Sequence, residues 1–188
     1  METWIILGVI AVAAIIGIFI YNRLVALRQR RENAFSDIDI QLKQRYNLVP
    51  QLVEVTKGYA KHEKEVFENV TEARAKVGSA SGGADGQRAK AENVLGGALM
   101  GLFAVAENYP QLKADGNFQK LMAELSDIEN KIAAARRFFN SATAEYNTAI
   151  EQFPSNLIAN RFKFEKEDFF ELDEIEADAV LVSPEVKF

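Results

Sequence analysis

The sequence predicts an all-α protein: an N-terminal transmembrane helix, an antiparallel up-and-down four-helix bundle, and an acidic C-terminal tail that contains aromatic residues. Three observations support this prediction. An uninterrupted apolar run opens the chain, long apolar seams at helical spacing follow it, and no segment before Pro154 alternates like a half-buried strand. We therefore divide the chain into an anchor at 1–21, a bundle at 22–160 and a tail at 161–188.

The apolar run extends from Trp4 to Ile20 and holds 17 residues without a charged or strongly polar side chain. With its two flanking residues, a helix here is about 28 Å long, close to the ~30 Å hydrocarbon core of a bilayer. A cleaved signal peptide would need a basic stretch before the run and a small-x-small site after it, and the sequence has neither. We expect a retained anchor whose spanning residues include Trp4, Ile10, Ala13, Gly17 and Ile20.

Basic residues follow the apolar run, and none precedes it: Arg23, Arg28, Arg30 and Arg31. The positive-inside rule then predicts a short N-terminus outside and a cytoplasmic C-terminal domain, in the inner (cytoplasmic) membrane of a cell. Fixing this orientation is a sufficient role for the arginines. Contact with anionic headgroups, worth about 1 kcal/mol per basic residue near the surface, is a second role compatible with the first.

The clearest helical seam lies between Asn117 and Phe153, where apolar residues alternate at spacings of four and three. Gly116 and Asn117 are expected to begin this helix, and Pro154 to stop it. The residues of the seam are Leu121, Leu125, Ile128, Ile132, Ala135, Phe139, Ala142, Tyr146, Ala149 and Phe153.

A second seam runs from Leu48 to Val77 and predicts one helix. Asn47 suits its N-cap, and Pro50 suits its first turn, where the missing N–H costs nothing. His62 falls on this seam, so we interpret it as a partly buried, hydrogen-bonded core residue; a catalytic or pH-sensing role is the alternative.

Two further helices complete the predicted bundle. The first covers 22–45 and continues the membrane helix, because no Gly or Pro separates Ile18 from Arg45. The other covers 94–106 and ends before Pro110. It contains the small residues Gly96, Gly97, Gly101 and Ala104, for which we favour close packing of a neighbouring backbone over a ligand groove. Between the second and third helices, the glycine-rich run Gly78–Gly86 is typical of a flexible hairpin tip.

The tail carries the whole net charge of the chain. Residues 161–188 contain nine acidic and four basic residues, whereas the preceding 160 residues contain eighteen of each. A purely solvating acidic tail would lack aromatic residues, and this one holds Phe162, Phe164, Phe169, Phe170 and Phe188. We expect these residues to form an interaction surface that docks on the bundle, on another copy of the chain or on a partner.

Several kinds of chemistry are excluded by composition. The chain has no cysteine, a single histidine and a net charge of -5, which argues against thiolate or His-pair sites and against nucleic-acid binding. Glu124 and Asp127 share one helix face and are interpreted as a solvated acidic face. Asn140 and Asn147 lie two turns apart and are interpreted as a polar ladder that fixes bundle register, with a binding surface as the alternative. We expect no catalytic residue, no metal and no cofactor.

Linked motifs along the chain resemble the LemA family of bacterial membrane-anchored helical proteins. The motifs are Tyr21-Asn22, Gln41-Leu-Lys-Gln-Arg45, Asn47–Val53, Lys57–Glu63, Arg136–Asn140, Glu145-Tyr-Asn147 and Phe153–Ala159. Two departures are small: Phe139 stands where the family often has Tyr, and Lys163 where it often has Gly. The resemblance implies a single span, an antiparallel four-helix bundle and no established enzymatic activity; some relatives are implicated in forming magnetosome membranes.

These observations lead to two functional hypotheses. The first is a non-enzymatic membrane scaffold that self-associates as a homo-oligomer and organises or shapes the bilayer; Ala13 and Gly17 are spaced to let two spans approach. The alternative is an anchored adaptor that recruits another protein through its bundle face or tail.

Overall fold

Helices dominate the computed structural model, which describes residues 1–80 and 86–170. Within those ranges the chain forms six helices and no strand, so the predicted all-α class is confirmed. The helices are α1 (Glu2–Tyr59), α2 (Lys64–Ser79), α3 (Gly86–Asn108), α4 (Pro110–Lys113), α5 (Gly116–Glu151) and α6 (Ser155–Phe162).

α1 runs without a break from the membrane segment into the rest of the chain, as the sequence predicted for residues 22–45. The expected new helix start at Asn47 is wrong, because α1 continues through Pro50. Proline leaves the carbonyl four residues earlier, that of Tyr46, without its helical donor. Arg74 supplies a donor: its Nε lies 3.1 Å from that carbonyl oxygen, and its guanidinium lies 3.9 Å from the centre of the Tyr46 ring.

A turn at residues 60–63 divides the helix that was expected to extend from Leu48 to Val77. His62 lies in this turn and is exposed, so its interpretation as a core residue is wrong. The apolar spacing counted Tyr59 and His62, which are both exposed, whereas the buried residue of the turn is Ala60. Spacing alone could not detect a short turn with apolar helices on both sides.

At two glycines of α3 the neighbours are side chains at ordinary contact distance, not the closely approaching backbone that was expected. A Cβ added at Gly96 would lie 3.5 Å from Nη1 of Arg45, and one at Gly101 would lie 3.5 Å from Cγ1 of Val66. At Gly97 a Cβ would meet nothing within 4 Å. α3 ends before Pro110, as predicted, and the centre of the glycine-rich run, residues 81–85, lies outside the described residues.

α5 begins at Gly116 as predicted, but its cap is Asp115. The Asp115 carboxylate accepts hydrogen bonds from the backbone N–H groups of Asn117 (3.0 Å) and Phe118 (2.8 Å), which have no helical acceptor. Most of the predicted seam is buried. Phe153 is the exception, because α5 ends at Glu151 and leaves Phe153 in the following turn.

The chain divides into two compact units. The anchor unit comprises Met1–Ile38 and Ala134–Phe169, and within it α1 and the C-terminal half of α5 pack together with α6. The second unit comprises Asp39–Ala133, apart from the undescribed 81–85, together with Phe170. Its core is rich in leucine: Leu42, Leu48, Leu52, Leu95, Leu99, Leu102, Leu112 and Leu125.

Candidate membrane interface

The N-terminal part of α1 is long and apolar enough to cross a membrane, and none of its most apolar stretch is buried within the protein. Large apolar side chains are exposed on all sides of the helix: Trp4, Ile5, Ile6, Leu7, Val9, Ile10, Val12, Ile15, Ile16, Ile18 and Phe19. Soluble proteins rarely expose so large a contiguous apolar surface. This helix is therefore a candidate membrane span.

α6 packs against the end of this apolar stretch. The Cδ1 atom of Ile158 would lie 3.7 Å from a Cβ added at Gly17, and the Tyr21 ring lies 4.8 Å from the ring of Phe162 and 5.8 Å from that of Phe164. The side of the span that carries Gly17 is therefore covered at this point by α6 of the same chain. Ala13 stays exposed.

The core of the anchor unit lies directly after the span. It is built from Leu24, Leu27, Tyr146, Ala149, Ile150 and Ala159, with Ile20, Ile158 and Phe164 packed against it. Burial raises the pKa of the Tyr146 hydroxyl, and the negative charge of Glu167 raises it further. A core in this position fixes α6 and the end of α5 beside the last turn of the span.

The structure separates the four arginines that were predicted to lie at the membrane surface. Arg23, Arg28 and Arg30 are exposed. Arg28 pairs with Glu32 at 3.4 Å and Arg30 with Glu145 at 2.8 Å, both in exposed pairs. Arg31 differs, because its side chain is only 12% exposed. The expectation of a surface arginine does not describe Arg31, which is turned into the anchor unit.

Arg31 holds the first part of the tail. Its Nη1 lies 3.1 Å from the carboxylate of Glu167, and its Nη2 donates to the backbone carbonyl of Asp168 at 3.1 Å. Its Nε donates to the Thr143 hydroxyl at 3.1 Å, and its guanidinium lies 4.8 Å from the centre of the Phe139 ring. The planar guanidinium thus uses several donors and one face at once.

Asn147 holds the same segment through its amide. Its Nδ2 donates to the Glu167 carbonyl at 2.9 Å, and the Glu167 N–H donates to its Oδ1 at 3.0 Å. Lys166 adds an ion pair with Glu151 at 2.6 Å, on the surface. The predicted polar ladder is therefore not the role of Asn147, which binds the backbone of Glu167. Residues 163–169, the segment that contains Glu167, are named here the strap.

The tail aromatics have different surroundings. Phe162 is exposed but touches Tyr21, Phe164 is half-buried on the anchor core, and Phe169 is exposed. Phe170 is buried and belongs to the second unit. Phe188 lies outside the described residues. The first part of the tail therefore docks on its own chain.

A turn in the backbone sets the direction of the strap. Lys163 adopts φ 56°, the left-handed region that favours glycine, and the Phe164 N–H donates to the Ala159 carbonyl at 3.0 Å.

The second unit contains a buried ionic cluster that the sequence analysis missed. Arg45 is 2% exposed; its Nη2 lies 2.6 Å from a carboxylate oxygen of Glu92 and its Nη1 lies 2.9 Å from Glu129. Nη2 also donates to the backbone carbonyl of Glu92 at 2.9 Å. One signal was available: Arg45 takes a seam position between buried Leu42 and Val49, where an apolar residue is expected.

The carboxylates considered for chemistry lie on the surface. Glu124 and Asp127 are exposed, and Asp127 pairs with Lys131 at 2.6 Å, as on a solvated helix face. Across residues 1–80 and 86–170, no group of three or more His, Cys, Asp or Glu residues is arranged to hold a metal ion.

Comparisons with known proteins find one matching family and several relatives. The model of the LemA family matches residues 34–188. The chain is 26% identical over 190 residues to magnetosome protein MamQ of Magnetospirillum gryphiswaldense, covering 88% of this chain and 70% of that protein. It is 24% identical over 207 residues to magnetosome protein MamQ 2 of Paramagnetospirillum magneticum, covering 96% and 76%. It is 27% identical over 169 residues to protein LemA of Metamycoplasma hominis, covering 86% and 76%.

Proposed function

Because this chain belongs to the LemA family, we propose that it is a non-enzymatic, single-pass membrane protein that self-associates and organises or shapes the membrane. In this proposal its helical part forms an up-and-down bundle in the cytoplasm, and α1 crosses the inner membrane with the short N-terminus outside. The magnetosome proteins among its relatives make an organising role at a membrane a reasonable proposal.

One observation carries the proposal: the apolar stretch of α1 is exposed along its length and continues, in the same helix, into the core of the anchor unit. A flexible tether would leave the domain free to rotate about its anchor. A continuous helix instead gives every copy the same orientation to the bilayer, and a shared orientation favours regular lateral contacts.

Self-association is tested by the particle mass of the full chain in mild detergent and in lipid nanodiscs. The proposal expects particles that contain a defined multiple of the 21.0 kDa chain in both environments. A single chain per particle in both would overturn the scaffold.

Orientation is tested with single cysteines, because the chain has none of its own. Glu2→Cys is expected to react with a membrane-impermeant maleimide in intact cells, and Ser36→Cys only after permeabilisation. The reverse pattern would place the helical domain outside the cytoplasm.

An adaptor is the second candidate function, and the strap favours it. Arg31 and Asn147 hold the tail at residues 167 and 168, shortly before its most acidic stretch in the sequence. Residues 171–188 contain six acidic residues and one lysine, a composition suited to a basic partner.

The adaptor is tested in the full chain, because deleting residues 161–188 would also remove Phe164 from the anchor core. Replacing Glu171, Asp173, Glu174 and Glu176 by their amides should abolish capture of a copurifying protein and leave the particle mass unchanged. Unchanged capture would count against the adaptor.

A further inference from the structure

α6 and the turn before it expose apolar side chains that the anchor core does not cover. Phe153 is 80% exposed, Leu157 is 60% exposed and Phe162 is 55% exposed. The other side of α6 is accounted for, because Ala159 is buried in the core and Ile158 packs against it. Phe153 in the turn, and Leu157 and Phe162 on α6, therefore keep apolar surface exposed although one side of the helix packs on the core.

The position of α6 is fixed by contacts between its covered side and the end of the span. Ile158 approaches Gly17, and the Phe162 ring packs at an angle of 58° against Tyr21, the residue that follows the apolar run. Gly17 and Tyr21 are four residues apart, or about 6 Å along a helix axis. α6 therefore lies at the depth of the last helical turn of the apolar run.

The end of α5 arrives at the same depth. α1 and α5 run antiparallel in the anchor unit, with Arg31 beside Thr143 and Arg30 beside Glu145. Eight residues further along α1 toward the membrane is Arg23, and eight residues further along α5 is Glu151, its last residue. The turn that contains Phe153 is therefore level with the start of the basic flank.

Basic side chains are exposed on and beside α6, together with the acidic Glu165 and with Glu151, which pairs with Lys166. Arg23, Arg161 and Lys163 are exposed. Apolar and aromatic side chains at the headgroup boundary, with basic side chains beside them, are the pattern of helices that lie in the interface.

We propose that residues 152–162 form an interfacial foot: Phe153, Leu157 and Phe162 lie in the boundary between headgroups and acyl chains of the leaflet where the α1 span ends. The ligand is the lipid bilayer itself. The inference rests on the proposed membrane span and adds to it, because a foot beside the span fixes the tilt and rotation of the domain on the membrane.

Tryptophan quenching tests the foot in the full chain. Trp4 is the chain's single tryptophan, so the variant Trp4→Phe/Phe153→Trp reports on the turn alone. The protein is placed in nanodiscs of phosphatidylcholine and phosphatidylglycerol brominated either near the glycerol end or near the bilayer centre. We expect blue-shifted emission, most of it lost with the first lipid and less with the second.

A matched control is Trp4→Phe/Phe138→Trp. Phe138 is also an exposed phenylalanine of the anchor unit, but it lies 15 residues before Phe153, 13 of them within α5, or about 20 Å along that helix. Its emission should be unaffected by either lipid. The wild-type chain, with Trp4 alone, reports separately whether the span is inserted.

The outcomes separate the foot from the span. If the wild-type chain is quenched but the Phe153→Trp variant emits like the Phe138→Trp control, the span is inserted and the foot is wrong. Blue-shifted but unquenched emission from the Phe153→Trp variant would mean that protein, such as a second copy, covers the turn, and would also overturn the foot. If Trp4 itself is unquenched, the proposed span fails.

Discussion

Two arginines of the same helix show how differently the two units use charge. Arg31, in the anchor unit, binds a Glu167 carboxylate that is 36% exposed, together with one hydroxyl and one backbone carbonyl. Arg45, in the second unit, is enclosed with Glu92, and these side chains are 2% and 1% exposed. A partly solvated cluster of this kind can open and close, whereas a fully desolvated pair opens only when the unit unfolds. We therefore expect the Arg31 cluster, named here the clamp, to open reversibly, and the Arg45–Glu92 pair to stay closed until the second unit unfolds.

The largest expected effect comes from breaking the buried pair. Arg45→Met leaves the Glu92 carboxylate buried without its partner, so the free energy of unfolding should fall by about 3–5 kcal/mol. Guanidinium unfolding of the full chain in detergent, followed by far-UV circular dichroism, measures the loss.

A double variant sharpens this prediction. Arg45→Met/Glu92→Met replaces the pair with apolar side chains of similar length, and Glu129 stays 39% exposed and solvated. The double variant should recover most of the stability that the single variant loses. A double variant no more stable than the single one would show that the stranded charge is not the cause.

The clamp should contribute less to the free energy of unfolding than the buried Arg45–Glu92 pair. Arg31→Met removes its hydrogen bonds to the strap and to Thr143, at an expected cost of about 2 kcal/mol, because the guanidinium is charged but Glu167 stays partly in water. Arg28→Met is the control, since its exposed pair with Glu32, one helical turn away, is worth about 0.3–0.5 kcal/mol. Equal losses in the two variants, measured by the same unfolding experiment, would show that Arg31 contributes no more to stability than an arginine in an exposed ion pair.

The amide of Asn147 can be tested without changing charge. Asn147→Ala removes both of its hydrogen bonds to Glu167, each worth about 0.5–1.5 kcal/mol, so the open population of the strap should rise roughly 5- to 150-fold. The rate of tryptic cleavage after Lys166, followed by mass spectrometry, reports this population. Asn33→Ala, at an exposed position of α1, should leave the rate unchanged; a rate unaltered by Asn147→Ala would mean that the amide does not hold the strap.

Periodicity was enough to predict the helices but not their breaks. The apolar run, the α5 seam and the Pro110 boundary are visible in the sequence because burial repeats every three or four residues. The passage of α1 through Pro50 is not, because it depends on Arg74 reaching the Tyr46 carbonyl from 28 residues away in the sequence. Local rules for proline leave the carbonyl four residues earlier without a hydrogen-bond donor, and they cannot include a donor that is distant in the sequence.

The polar sites were likewise only partly predictable from the sequence. The sequence indicates that Arg31 and Asn147 are polar residues near a seam, but their shared partner is the backbone of the strap, which carries no side-chain signature. Arg45 could have been suspected from its seam position, whereas Glu92 and Glu129 could not, since pairing among three helices depends on their relative placement. The candidate span was the easiest feature to predict, because a long uninterrupted apolar run is visible in the sequence without knowledge of any tertiary contact.

The smallest effect concerns the α5 cap and depends on pH. Hydrogen bonds donated by the Phe118 N–H, the Tyr59 hydroxyl and the Asn117 N–H lower the pKa of the Asp115 carboxyl below its ordinary value. Its folded pKa is lower than its unfolded pKa, so this stabilisation is complete above the unfolded value and is lost as pH falls through the folded one. Asp115→Asn keeps an oxygen acceptor for the cap but cannot titrate. In thermal melts between neutral pH and pH 3, the wild-type melting temperature should therefore fall more than that of the variant; parallel curves would show that Asp115 carries no pH-dependent stability.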